Sequence, residues 1–173
     1  VLDSNKKGKT HLGYYWVYHA PLDNLTLFDY QPSRSQEAAK QVLSGFKGYL
    51  QTDGYAGYNI VAKNKDVQQL FCWAHARRYF EKALIQDKAA AEKALTFIQG
   101  LYKVEGQAKE QSLTHSQRKE LRLQHSLSII NEMGEWLAAQ RHLPKSLMGV
   151  AVQYTMNRWQ GLCTYLYDGA LQI

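Results

Sequence analysis

The sequence predicts a mixed α/β protein in which a small mixed sheet with one helix is followed by an all-helical half. Three observations carry that expectation. Before Cys72, short segments rich in Tyr, Trp, Val and Phe are set off by turn residues, and after it apolar residues recur at helical spacing. With 173 residues, 45% of them hydrophobic, the chain is long enough for one well-buried core and too short for two ordinary domains. The expected division is therefore a sheet portion over 1–72 and a helical insertion or appendage over 73–173.

Taken in order, Gly13 to Ala20 (GYYWVYHA) suits a pleated, half-buried surface, Pro21 to Asn24 supplies turn chemistry, and Leu25 to Tyr30 returns as the second strand of a hairpin. Ser35 can cap a helix running to about Phe46, in which Ala38, Ala39, Val42, Leu43 and Phe46 share a face. Gly45 and Gly48 end it. Tyr49 to Asp53 reads as a short strand that breaks off at Gly54, and after a turn through Tyr58 a further strand runs over Val67 to Cys72.

Four amphipathic stripes follow. Trp73, Ala76, Phe80 and Leu84 form the first; Ala94, Phe97, Ile98 and Leu101 the second; Ile129, Ile130, Met133, Trp136 and Leu137 the third. Leu147, Val150, Ala151, Tyr154, Leu162 and Tyr165 form the fourth, after a break at Pro144.

Composition narrows the function classes. No apolar run reaches the 18 or so residues that span a bilayer, and the N-terminal residues lack the order of a signal peptide, so a cytoplasmic protein is expected. Cys72 and Cys163 are too few and too distant to form a disulfide framework. A net charge of +6 favours a polyanionic partner such as nucleic acid, but the excess is spread along the chain and marks no face. There is no G-x-S-x-G, G-x-G-x-x-G or P-loop pattern, which removes support for serine hydrolase chemistry and nucleotide cofactors.

The residues with chemical promise lie in two segments. In Gln51-Thr52-Asp53-Gly54-Tyr55-Ala56-Gly57-Tyr58, a carboxylate at the C-terminal end of a strand meets a glycine turn, which makes Asp53 the candidate catalytic acid; the competing reading is an Asp-Gly turn that caps the next helix. In Cys72-Trp73-Ala74-His75-Ala76-Arg77-Arg78, Cys72 and His75 are either half of a zinc site with no second pair or a structural junction, with Cys72 as a small buried hydrophobe and His75 hydrogen-bonded in the first helical turn. Arg77 and Arg78 point about 100° apart on a helix, so one can reach phosphate while the other pairs internally. Lys6, Lys7 and Lys9 form a short basic stretch that either follows a phosphate backbone or is a solvated loop.

Together LQTDGYAGY, CWAHARRYF, Leu101-Tyr102-Lys103-Val104-Glu105, Leu143-Pro144-Lys145-Ser146 and the closing Tyr167-Asp168-Gly169-Ala170-Leu171-Gln172-Ile173 resemble the insertion sequence 66 family of bacterial DDE transposases. The opening Gly8-Lys9-Thr10 and Gly13-Tyr14-Tyr15-Trp16-Val17-Tyr18 fit the same pattern, so the likeness spans the chain. It implies a ribonuclease H-like mixed sheet with a helical insertion after the last strand, the first strand being largely truncated here. It also implies metal-dependent DNA cleavage and strand transfer, with Mg²⁺ or Mn²⁺ held between three carboxylates.

On this resemblance Asp53 corresponds to the second acid and to a metal ligand, Cys72 and His75 to a structural C-x-x-H signature, and Arg77 and Arg78 to a basic pair that contacts DNA or supports the site from behind. The other two acids are expected before Val1 and after Ile173; neither Asp3 nor Asp168 replaces them. The implied protein is a transposase core segment, inactive by itself and binding no metal, whose parent acts on transposon ends and target DNA at the nucleoid, with a homo-oligomer as one open option. The alternative is a non-catalytic DNA-binding or dimerisation module, and a third reading is a stand-alone nuclease of the same fold.

Overall fold

The structure, a computed structural model, describes Thr10 and residues 12–173. Lys6, Lys7, Lys9, His11 and Asp3 lie outside the described residues. The chain divides into two compact units, one holding the described residues up to Tyr49 together with Tyr55–Gln68, the other Leu50–Gly54 with Gln69–Ile173. None of the described helices is long and apolar enough to cross a membrane.

The first unit opens with the expected hairpin. Strands β1 (Tyr14–Ala20) and β2 (Leu25–Gln31) run antiparallel, in register from Tyr14 opposite Gln31 to Ala20 opposite Leu25. Asn24 closes the turn at a φ of 52°, a left-handed conformation that asparagine tolerates better than most residues. Trp16 turns inward and packs edge-on to Tyr58, with ring centroids 5.4 Å apart, and obliquely on Tyr55 at 6.0 Å. Helix α1 (Gln36–Val42) buries Ala38 and Ala39. It stops four residues short of the expected Phe46, because the chain leaves helical geometry at Leu43 and Gly45 takes a φ of +80°.

Strands β3 (Gly48–Thr52) and β4 (Val67–Phe71) pair with each other. Gly48 donates to the Asp66 carbonyl at one end and Cys72 to the Thr52 carbonyl at the other, so the two run parallel. The connection between them carries a single 3-10 turn (Ala56–Tyr58) and the short helix α2 (Asn59–Ala62), the kind of crossover that parallel pairing requires. The expectation of one mixed sheet is corrected accordingly: among the described residues the four strands form two two-stranded sheets.

The second unit is helical apart from its strand ends. It contains α3 (Trp73–Ala83), α4 (Lys88–Glu110), α5 (His115–Leu121), α6 (Leu127–Ala139), α7 (Leu147–Met156) and α8 (Trp159–Cys163). Asp87 caps α4 by accepting from the Ala90 amide, and Thr114 and Gln117 cap α5 reciprocally. A single wide π turn (Arg122–Ser126) joins α5 to α6. Trp73, Phe80, Ile98, Leu101, Met133, Leu137, Met148 and Leu162 are almost wholly buried in one core.

Two helices exceed the four expected. Helix α5 buries none of its residues and so carries no apolar stripe to read, while the fourth stripe is broken in two by Asn157 and Arg158 between α7 and α8.

Candidate functional site

Asp53 follows the last residue of β3 and is half-buried. Thr52 sits beneath it, 6% exposed; its hydroxyl oxygen accepts from the Gln69 amide side chain at 3.0 Å and from the Gly54 amide at 3.3 Å. Gly54 then reverses the chain at a φ of +83°, where a side chain would be strained, and a Cβ there would also strike the Arg158 side chain. Both features favour glycine here. The next helical turn (Ala56–Tyr58) has Tyr55 at its N-cap position, and the Tyr55 side chain makes no capping bond.

The turn is held from the α7–α8 corner. Tyr154, near the end of α7, donates its hydroxyl to the Asp53 carbonyl at 2.7 Å. Arg158, the residue before α8, donates to the Gly54 carbonyl at 3.1 Å and lies over the Tyr154 ring at 4.1 Å. Tyr79 of α3 stacks on Tyr154 with ring centroids 4.2 Å apart. Burial raises the pKa of the Tyr154 hydroxyl and the Arg158 guanidinium opposes the rise, so Tyr154 remains a donor at neutral pH.

Cys72 lies between β4 and α3, its carbonyl accepting from the His75 and Ala76 amides. His75 takes part in this junction through its backbone amide and not through its ring. Its Nδ1 is buried without a hydrogen-bond partner among the described residues, and backbone bonds make the corner instead. No group of three or more His, Cys, Asp or Glu side chains among the described residues stands close enough to hold a metal ion.

Arg77 pairs with Glu81 one turn on, at 2.9 Å, and lines a cavity of about 460 Å³ with Ala74, Leu95, Gln99 and Tyr102. Arg78 is exposed and makes no ion pair among the described residues. Asp168 forms a local turn, its carboxylate accepting from the Ala170 amide at 2.9 Å.

Sequence reasoning missed Tyr154 and Arg158, and also Arg122 with Glu105. Arg122 is fully buried, bonded through Nε and Nη2 to both Glu105 carboxylate oxygens at 2.7 and 2.8 Å, and donates to the carbonyls of Tyr165, Asp168 and Leu171. The four-residue spacing of Tyr154 and Arg158 was the available signal, since it places a cation beside an aromatic ring on one helical face.

With this geometry in view, the chain matches the family described as "Transposase IS66 family" over residues 1–173, its whole length. The chain belongs to the IS66 transposase family. Three proteins of Sinorhizobium fredii (strain NBRC 101917 / NGR234) resemble it, all described as uncharacterized. Protein y4jD is 27% identical over 83% of this chain and 30% of its own length; y4qI is 27% identical over 96% and 34%; y4hP is 30% identical over 79% and 28%. The chain thus spans about a third of the curated relatives it matches. No solved structure matches it significantly.

Proposed function

We propose that this chain forms part of the catalytic core of a DNA transposase, in which Asp53 supplies one carboxylate to the centre that cuts and rejoins DNA strands. The observation carrying this reading is the match of the whole chain to the transposase family. Asp53 stands at the carboxyl end of a parallel strand pair, the side on which open α/β sheets bind their ligands, before a turn whose positive φ favours glycine.

The cofactor proposed for the whole protein is Mg²⁺ or Mn²⁺, within the ribonuclease H-like arrangement that the sequence resemblance implies. A hard divalent ion takes carboxylate oxygens, and a two-ion centre needs several of them. The described residues do not fit such a centre by themselves, since no acidic cluster surrounds Asp53. Cleavage is accordingly assigned to the full-length polypeptide and not to this stretch alone. DNA is the proposed partner, with exposed Arg78 available to a phosphate backbone.

The test is Asp53→Asn in the full-length polypeptide, assayed for strand cleavage and for DNA binding. Cleavage is expected to fall by about a thousandfold or more while DNA affinity stays within about twofold, because one carboxylate lost from a reacting centre removes chemistry and not phosphate contacts. A variant that cleaves at the parental rate would return Asp53 to a turn residue and favour a purely DNA-binding role.

A further inference from the structure

We propose that Tyr154 and Arg158 are positioning residues that act on Asp53 through its backbone, so that the α7–α8 corner of the helical unit sets the aim of the acid. This deepens the function proposed above and rests on it.

Both contacts go to main-chain oxygens on the carboxyl side of the acid. The Tyr154 hydroxyl holds the Asp53 carbonyl at 2.7 Å, and the Arg158 guanidinium holds the Gly54 carbonyl at 3.1 Å. Fixing those two peptide planes fixes ψ of Asp53 and both torsions of Gly54. Gly54 is the residue with the widest backbone freedom in this turn, so it has the most to gain from an external hold.

The hold is itself rigid. The Arg158 guanidinium lies 4.1 Å from the Tyr154 ring centroid and 5.5 Å from that of Phe71, and Tyr79 stacks on Tyr154 at 4.2 Å with 26° between planes. Rings and guanidinium form a column running from α3 through α7 to the turn, and each member restricts the rotamers of the next. A backbone support of this kind keeps a reacting group in place without itself engaging the group's side chain.

Tyr154→Phe removes only the hydroxyl and keeps the stacked ring, whereas Arg158→Lys keeps the charge and loses the planar fork. In the full-length polypeptide each variant is expected to lower kcat for DNA cleavage by about tenfold or more, with DNA affinity and melting temperature unchanged, because misplacement of a reacting group is felt in the chemical step. If Tyr154→Phe also unfolds more easily, Arg158→Lys carries the test. Parental kcat in both variants, or a fall in kcat that merely tracks the folded fraction, would overturn the proposal. An inactive Asp53→Asn beside fully active Tyr154→Phe and Arg158→Lys sinks this inference alone, while an active Asp53→Asn sinks the catalytic reading and this inference with it.

Discussion

Phe80 and Phe28 are the same side chain in two settings. Phe80 of α3 is fully buried in the helical unit, whereas Phe28 of β2 is 65% exposed on the hairpin. The contrast extends to their neighbours. Around Phe80 the helices bury Trp73, Ile98, Leu101 and Met133 together, while around Phe28 the strand pairs leave Tyr15, Val17 and Leu27 in solvent. The hairpin is rich in apolar surface but removes little of it from water, so the hydrophobic contribution to stability is concentrated in the helical unit. The carboxyl end of β3, with Asp53, belongs to that better-buried unit.

The largest effect on stability is expected at Arg122, which carries both the charge pairing and the C-terminal anchoring of the helical unit. Arg122→Met leaves the Glu105 carboxylate, 13% exposed, without its bidentate partner and frees three backbone carbonyls between Tyr165 and Leu171. Arg118, 3.8 Å from Glu105, compensates only in part. Denaturant titration is expected to show a loss of about 3 to 5 kcal/mol, the range for breaking a buried pair from one side. The double variant Arg122→Met, Glu105→Leu should recover the charge penalty and not the carbonyls. Full recovery would mean that anchoring the 165–171 segment contributes nothing.

The two units also differ in how legible they were. The hairpin was readable because a run rich in Tyr, Trp and Val leads into a Pro-Leu-Asp-Asn turn, and α3, α4, α6 and α7 because their apolar residues keep a helical period. What escaped was decided by groups that no local pattern advertises. Helix α5 is held by its capping box and has no buried face, and Arg122 is buried by partners up to 49 residues away. At the candidate site, Asp53 and Gly54 were legible as a strand end followed by a turn. Their supports were not, because Tyr154 reads as one more aromatic in a stripe and Arg158 as one more surface cation until tertiary folding brings them to the turn.

A smaller effect sharpens the contrast by chemistry. Burial pushes the Cys163 thiol of α8 up to about 12 from its usual 9.0, so at pH 8 its reactive thiolate is rarer by about a thousandfold than in the unfolded chain. Native Cys163 should therefore resist iodoacetamide at pH 8 and react once denaturant opens the helical unit. Between pH 9 and about 12 the unfolded thiol ionises while the folded one does not, so its contribution to stability is complete below that window and is lost as the pH rises through it. Rapid native labelling would show that α8 opens independently of the core.

The smallest effect is expected where apolar surface is already wet. Phe28 faces Val17 across the hairpin at a position that folding leaves 65% exposed, so Phe28→Ser gives up cross-strand contact and little burial. A change within about 0.5 kcal/mol is expected in the same denaturant titration, as for most exposed substitutions. That outcome would identify the exposed face of the hairpin as surface that the chain's own stability does not use. A loss of 2 kcal/mol or more, on the order of a buried large-to-small change, would instead mean that this face is covered in solution, and the contrast between Phe80 and Phe28 would then be one of partner and not of burial.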